Sequence, residues 1–142
     1  MDDPHDLQRF VDAQDRVYHD VRLELASGEK RSHWMWFVFP QLKGLGHSPM
    51  ARRYGIASRA EAEAYWRHSV LGPRLKECSE LVLAVKGRTA REIMGPPDDV
   101  KLRSCMTLFA EVVPEEPVFR QVLEKYFAGA PDVKTLELLA AG

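Results

Sequence analysis

The chain has 142 residues, of which 45% are hydrophobic and 29% are charged, a composition that excludes a disordered protein and fits one domain with its own core. Its 20 basic and 21 acidic residues give a net charge of −1, so the overall charge makes nucleic acid an unlikely partner and gives no reason to expect an anionic membrane. The acidic N-terminus lacks an apolar signal segment, and the longest apolar run (Trp34 to Phe39) is too short for a membrane span. The two cysteines lie in apolar helical patterns. We therefore expect a cytoplasmic protein.

The first predicted helix begins near Leu7 and extends past Leu25, because apolar residues recur there at helical spacing, and Gly28 closes it. Gln14 lies inside the apolar stripe of this helix. A buried amide needs hydrogen-bond partners. We therefore predict a structural hydrogen bond for Gln14, with membership of a binding site as the alternative.

The apolar run from Trp34 to Phe39 fits a buried strand or a buried helix. We favour a helix capped by Ser32 and stopped before Pro40, because the chain offers no second good strand to pair with it. A loop follows from Gln41 to Pro49, and its glycines at 44 and 46 permit positive φ angles and close backbone approach.

Later helices are marked by capping signals and apolar periodicity. Capping boxes begin at Ser58 and Thr89, and Asp98 or Asp99 is a candidate cap for the helix after Pro97. Further helices are predicted at 71–85, 117–127 and 132–141. The prediction for residues 1–142 is therefore all-α: a single compact helical domain of about seven or eight helices.

Common catalytic signatures are absent from the chain. Gly44-Leu45-Gly46 lacks the third glycine of a dinucleotide fingerprint, and there is no phosphate-binding P-loop or nucleophile elbow. None of the five histidines lies three or four residues from another, which argues against a zinc site. We expect no metal and no cofactor.

Aromatic and basic side chains are concentrated between His33 and Tyr54. Residues two apart on a helix face nearly opposite ways, so either Trp34 or Trp36 is expected at the surface. An exposed indole beside cations is suited to stacking a base and holding a phosphate. The ligand-binding residues predicted in this segment are Trp34, Trp36, Gln41, Lys43, Arg52 and Tyr54.

A second cluster lies between Asp98 and Arg103. Asp98 and Asp99 are the candidate catalytic carboxylates, and Lys101 and Arg103 complete the predicted ligand-binding residues. We expect Trp36, Gln41, Arg52, Asp98 and Lys101 to converge on one site. The alternative is that Asp98 pairs with Lys101 at its own helix start while Arg52 is solvated.

From Lys30 to Gln41 the chain resembles the bacterial and fungal family catalogued as domain of unknown function 1810. The resemblance extends from Leu7 to about Leu139, and it implies a compact, mainly helical fold but no established activity. Some members are labelled calpastatin. A calpain-inhibitor segment should be disordered, whereas the composition of this chain is that of a folded domain. The motifs that carry the resemblance, besides 30–41, are 44–46, 51–54, 70–75, 98–104 and 106–109.

Phe10-Val11-Asp12-Ala13-Gln14 has a remoter likeness to NADAR-type helical proteins, which act on N-glycosidic bonds of ribose derivatives. That family has Glu-His-Tyr shortly before this segment, where the present chain has Leu7-Gln8-Arg9, so the family's acid is not carried over.

These patterns predict an intracellular protein that binds, or hydrolyses, a nucleotide-like ligand of ADP-ribose or N-glycosidic type. In the hydrolytic case a carboxylate stabilises an oxocarbenium-like transition state. The alternative is a protein-interaction module that presents an exposed aromatic patch with Arg52 and Arg53 at its rim. Nucleic-acid binding through the basic residues of 30–53 is disfavoured by the overall charge.

Overall fold

The computed structural model describes residues 2–141, and in that range the chain forms helices and no strand. None of these helices is both long and apolar enough to cross a membrane. An isolated parallel bridge joins Leu42 to Ile56. The ten helices of the described residues are α1 (Gln8–Asp15), α2 (Tyr18–Ser27), α3 (Met35–Val38), α4 (Pro49–Tyr54), α5 (Arg59–Arg67), α6 (Leu71–Ala84), α7 (Ala90–Met94), α8 (Asp98–Val112), α9 (Val118–Phe127) and α10 (Val133–Ala141).

The all-α prediction is confirmed, but the predicted number of seven or eight helices is wrong for two local reasons. The first predicted helix is broken at Val17, whose φ of −131° is not helical, so that α1 and α2 are separate. The loop predicted to run to Pro49 ends instead in α4. Ser48 caps α4 by accepting a hydrogen bond from the Ala51 amide (3.1 Å), and Pro49 occupies the first turn, where its missing N–H costs nothing.

Helices α6, α8 and α9 form the centre of the domain. Helix α8 packs against α5, α7, α9 and α10, and α6 packs against α2, α5 and α9. One apolar cluster fills the space between these helices, and Leu81 and Tyr126 pack against it from its edge. Residues at helical spacing that belong to the cluster are Leu7, Phe10, Val21, Leu75, Leu102, Phe109 and Val122.

Three predicted capping residues are confirmed and two are wrong. Ser58 caps α5 by accepting a hydrogen bond from the Glu61 amide (3.1 Å), although the Glu61 side chain accepts from Ala57 and so does not complete the predicted capping box. Thr89 and Glu92 form the predicted capping box of α7, and Gly28 ends α2 in the left-handed region, with φ of 76°. Ser32 does not cap α3, which begins after Trp34, because its hydroxyl donates to Glu24 instead (2.6 Å). Neither aspartate caps α8, whose first flanking residue is Pro97.

Candidate functional site

The two tryptophans of the aromatic run diverge, as residues two apart on a helical turn must. Trp34 belongs to the core, with 1% of its surface exposed. Its indole N–H donates to Glu24 (3.0 Å), and its ring packs near Phe39. Trp36 is half-buried. Of the two, Trp36 therefore has the more accessible ring.

Glu24, on α2, holds the segment that leads into α3. Its carboxylate accepts hydrogen bonds from the Arg31 amide (2.7 Å), the Ser32 amide and hydroxyl, and the Trp34 indole. Burial alone would raise the pKa of Glu24, but these four donors favour the charged form and lower the pKa to about 2. Glu24 thereby fixes the approach of the chain to Trp36.

Gln41 is positioned by the bridge between residues 41–43 and Ile56. Its carbonyl accepts from the Ile56 amide (2.7 Å), and the Ile56 carbonyl accepts from Lys43 (2.9 Å). The Gln41 side chain is only 3% exposed, and its Nε2 atom has no hydrogen-bond partner. A buried amide without a partner carries a desolvation cost of about 1–3 kcal/mol, so the fold leaves this donor unsatisfied.

Gln14 is as buried as Gln41, but its side-chain amide has hydrogen-bond partners. Its Nε2 donates to the Phe37 carbonyl (2.7 Å) and to the Tyr65 hydroxyl (3.0 Å), and its Oε1 accepts from Arg74 (3.4 Å). The structural interpretation of Gln14 is therefore confirmed. These bonds join α1 to α3, α5 and α6.

Lys101 lies over the Trp36 ring, with its ammonium nitrogen 4.5 Å from the ring centroid. The same ammonium pairs with Asp98 (3.2 Å). Asp98 also pairs with the buried ammonium of Lys30 (2.9 Å), which in turn lies 4.9 Å from the Trp34 ring centroid. The Asp98 charge is thus compensated by two lysines from different parts of the chain.

We call the space beside Trp36 and Gln41 the Trp36 cavity, and it has a volume of about 370 Å³. That volume lies within the range of small-molecule sites. A smaller cavity of about 240 Å³ shares Trp36 and Lys101 with it and also touches Asp98, His33 and Met50. The residues that line the Trp36 cavity are Trp36, Gln41, Leu45, Gly46, Pro97, Val100, Lys101, Ser104, Asp132 and Lys134.

The two loop glycines act in different ways. Gly44 has a φ of +100°, a conformation that side chains disfavour. A Cβ atom on Gly46 would lie 2.8 Å from the edge of the Trp36 ring and 3.0 Å from Ala51. The close approach at Gly46 is therefore made to Trp36 itself, and it holds the ring in place.

Arg52 and Lys43 line neither cavity beside Trp36. They line a separate, open cleft of about 740 Å³, here called the cationic cleft, whose wall also includes Pro49, Arg9 and Glu61. The buried Arg9–Glu61 pair (2.8 Å) closes the cleft, and no ion pair is found for Lys43 or Arg52 among residues 2–141. Of the five residues predicted to converge, Trp36, Gln41 and Lys101 share the Trp36 cavity and Asp98 adjoins it, whereas Arg52 lies in this cationic cleft.

The remaining predicted site residues, Tyr54, Arg103 and Asp99, do not line the Trp36 cavity. Tyr54 is buried against Phe10 and Phe37. Arg103 donates to the Ala130 carbonyl (2.9 Å) and so joins α8 to the turn before α10. Asp99 lines neither cavity beside Trp36, and its buried Oδ1 atom has no hydrogen-bond partner. Tyr54 and Arg103 therefore connect helices, while Asp99 stands apart from the cavity.

Several lining residues were not anticipated from the sequence. Ser104 faces the Trp36 cavity from α8, and Asp132 and Lys134 reach it from the start of α10. No local signal marks Asp132 or Lys134, because α10 is brought to α8 by tertiary contacts such as the bond from the Asp132 amide to Thr107 (2.8 Å). Ser104 lies within the motif 98–104 but carried no separate signal.

Neither thiol is suited to nucleophilic chemistry. Burial raises the pKa of Cys78 to about 12 and raises that of Cys105 well above its usual value, so the reactive thiolate is scarce at both positions. Among residues 2–141, no group of three or more histidine, cysteine or acidic side chains could hold a metal ion.

Comparisons with known proteins agree on the family and the fold. The family model described as "Protein of unknown function (DUF1810)" matches residues 4–139. The crystal structure of the conserved hypothetical protein Rv1873 from Mycobacterium tuberculosis is similar to the chain, with 58% sequence identity and a TM-score of 0.96; the match covers 97% of this chain and 99% of that one. A search of curated proteins finds no match.

Proposed function

Because the chain belongs to the DUF1810 family, whose description assigns no activity, we propose from the geometry that it binds a small nucleotide-like ligand in the Trp36 cavity. The observation that carries this proposal is the amide side chain of Gln41, which lines the cavity while its buried Nε2 has no hydrogen-bond partner. Folding leaves this donor without a partner at a cost that an incoming acceptor would offset.

The other lining groups suit the same ligand class. Trp36 offers a stacking surface, and stacking a base on an aromatic side chain contributes about 1–3 kcal/mol. Lys101 covers one face of the ring in the unliganded chain. An anionic group that attracts the Lys101 ammonium would move it from the indole and uncover that face. The ligand is then held by a ring contact, a hydrogen bond and a charge.

The proposal is for binding rather than for hydrolysis. Asp98 is paired with Lys30 and Lys101, so in the unliganded chain it orients the two lysines instead of facing the cavity as a free carboxylate. The role of Asp98 or Asp99 in cleaving an N-glycosidic bond stays a prediction. Its test is product analysis after incubation with NAD and ADP-ribose, in which release of nicotinamide or free ribose would be required.

Binding is tested by thermal unfolding of the purified chain with millimolar AMP, ADP, NAD or ADP-ribose. A ligand present at about 100 times its dissociation constant adds about 2.7 kcal/mol to the free energy of unfolding, which raises the melting temperature by several degrees. A Trp36→Leu variant serves as the site control, since it removes the indole while keeping an apolar side chain. Absence of a shift with all four ligands would end the proposal.

A protein partner remains the second candidate function. The aromatic patch expected for it is not exposed as a whole, since Trp34 is buried. However, Met50 (41% exposed) and Val100 (57% exposed) are exposed apolar side chains, each at the wall of one of the two cavities, where a partner could cover them. A Met50→Ser, Val100→Ser variant that loses co-purifying protein but keeps its nucleotide-induced shift would favour this function.

A further inference from the structure

We infer that the ligand carries a phosphate-type anionic group, and that this group binds in the smaller cavity beside Trp36, between Lys30 and Lys101. The inference rests on the proposed function, because it names the chemical class of that ligand and the place where its charge is held. It is carried by two ammonium groups that share a single carboxylate, that of Asp98, at the wall of the smaller cavity.

The two ammonium groups lie against the lining of the smaller cavity. The Lys30 nitrogen is 2.9 Å from one carboxylate oxygen of Asp98 and 4.9 Å from the centroid of the Trp34 ring. The Lys101 nitrogen is 3.2 Å from the other oxygen of Asp98 and 4.5 Å from the centroid of the Trp36 ring. Because Asp98 and both rings line this cavity, these contacts place the two positive charges at its wall.

The charges of this cluster do not balance. Lys30 and Lys101 are the cations among the residues that line the smaller cavity, Asp98 is the one acid among them, and His33 supplies no negative charge. The carboxylate of Glu24 is held by the Ser32–Trp34 segment and forms no ion pair with either lysine in the described chain. The cluster therefore keeps positive charge in excess.

Partial burial makes this excess significant. The Lys30 side chain is only 7% exposed, and those of Asp98 and Lys101 are 18% and 22% exposed, so water and salt screen their charges less than they screen surface charges. The Lys30 ammonium also donates to the Ser32 carbonyl (2.5 Å), which fixes its position before any ligand arrives. An anion that reaches the cluster thus meets a cation that is already in place, and it loses less entropy on binding.

The kind of cation favours phosphate over carboxylate. Lysine binds phosphate as a compact point charge, whereas the planar, bidentate recognition of a carboxylate is typical of arginine. No arginine of the described chain lines the smaller cavity. Because the smaller cavity and the Trp36 cavity share Trp36 and Lys101, a ligand whose ring stacks on Trp36 can place its phosphate beside Lys30.

The experiment measures the affinities of adenosine and AMP by calorimetric titration of the full chain. The test variant is Asp98→Asn, which removes the carboxylate from between the two lysines but keeps an oxygen that can accept their hydrogen bonds. The matched control is Glu116→Gln. Glu116 is also a partly buried acid paired with a lysine, Lys76 (3.1 Å), but it lines neither cavity, so this variant makes the same change in overall charge elsewhere.

We expect AMP to bind the wild-type chain about tenfold or more tightly than adenosine does, as a charge-assisted hydrogen bond implies. Asp98→Asn leaves both lysines without a neutralising charge, so it should tighten the binding of AMP by about threefold or more and leave that of adenosine unchanged. Glu116→Gln should change neither affinity.

Equal affinity of the wild-type chain for adenosine and AMP would overturn the inference and leave the proposed function intact. Unchanged or weaker binding of AMP by Asp98→Asn would also overturn it, as would an equal gain in the two variants, which would come from overall charge. Absence of binding by both compounds would overturn the proposed function and the inference together.

The wild-type chain gives a second readout that does not depend on the folding of a variant. The side-chain Cε–Hε signals of its lysines are followed by NMR during titration with AMP. We expect saturable shifts at Lys30 and Lys101 and none at Lys86, which is exposed and lines neither cavity. Binding of AMP without shifts at Lys30 and Lys101 would overturn the inference.

Discussion

Replacing Gln41 by methionine should stabilise the unliganded protein. Methionine has a similar length and volume but no donor, so the substitution removes a buried Nε2 that has no partner and leaves no other group unsatisfied. An unpaired buried amide costs about 1–3 kcal/mol. We therefore expect Gln41→Met to raise the free energy of unfolding by about 1 kcal/mol, which corresponds to about 3–4 °C in melting temperature for a chain of this size.

The matched control is Gln14→Met, which changes the same residue type at the same degree of burial. Here the lost amide leaves the Phe37 carbonyl, the Tyr65 hydroxyl and Arg74 without their partner. We expect a loss of about 2 kcal/mol. The two variants thus have opposite predicted signs, although they are the same chemical substitution.

Both free energies are measured by urea unfolding at pH 7, followed by circular dichroism, with the slope of the transition checked for two-state behaviour. The reasoning is refuted if Gln41→Met destabilises the protein as much as Gln14→Met does, because the Gln41 amide would then be paired in solution. If Gln41→Met raises the free energy of unfolding but abolishes the nucleotide-induced thermal shift, the Gln41 amide serves binding rather than folding.

Three further predictions concern the surroundings of the cavity. The hydrogen bonds to Glu24 lower its folded-state pKa to about 2, below the ordinary value of 4.5, so its stabilisation is complete above about pH 4.5 and is lost as the pH falls toward 2. Glu24→Gln should therefore lower the free energy of unfolding at pH 7 and flatten its dependence on pH, and an unchanged pH slope in urea unfolding would contradict this. Gly46→Ala should cost about 1–3 kcal/mol because its Cβ would meet the Trp36 ring, and an unaltered melting temperature and tryptophan emission would count against that contact. Cys78 and Cys105 are buried and should react with a thiol reagent at pH 8 only after denaturation, so rapid labelling of the native chain would disprove their inertness.

Local signals predicted those parts of the fold whose causes are themselves local. The Thr89–Glu92 capping box, the glycine end of α2 and the apolar spacing of the core helices involve residues within a few positions of one another, and each is confirmed. The Ser48–Pro49 pair is also a helix-start signal, yet the neighbouring glycines favoured a loop there. The break at Val17 has no marker such as glycine or proline in the sequence.

The candidate site was predictable in composition but not in arrangement. Of the five residues expected to converge, Trp36, Gln41 and Lys101 line the Trp36 cavity and Arg52 lines the cationic cleft, while their role in binding stays a prediction. The pairing of Lys30 with Asp98 and the approach of Lys134 depend on tertiary packing. Whether a buried glutamine is satisfied also depends on tertiary packing, so Gln14 and Gln41 could not be distinguished by spacing alone. The NADAR likeness of the Phe10–Gln14 segment stays a prediction.

The most direct test of the account is an amide and indole NMR titration of the labelled protein with AMP. The account predicts saturable shifts of the Trp36 indole N–H and the Gln41 side-chain amide. Shifts confined to Lys43, Arg52 and their neighbours in the cationic cleft, or no shifts at millimolar AMP, would contradict a ligand site in the Trp36 cavity.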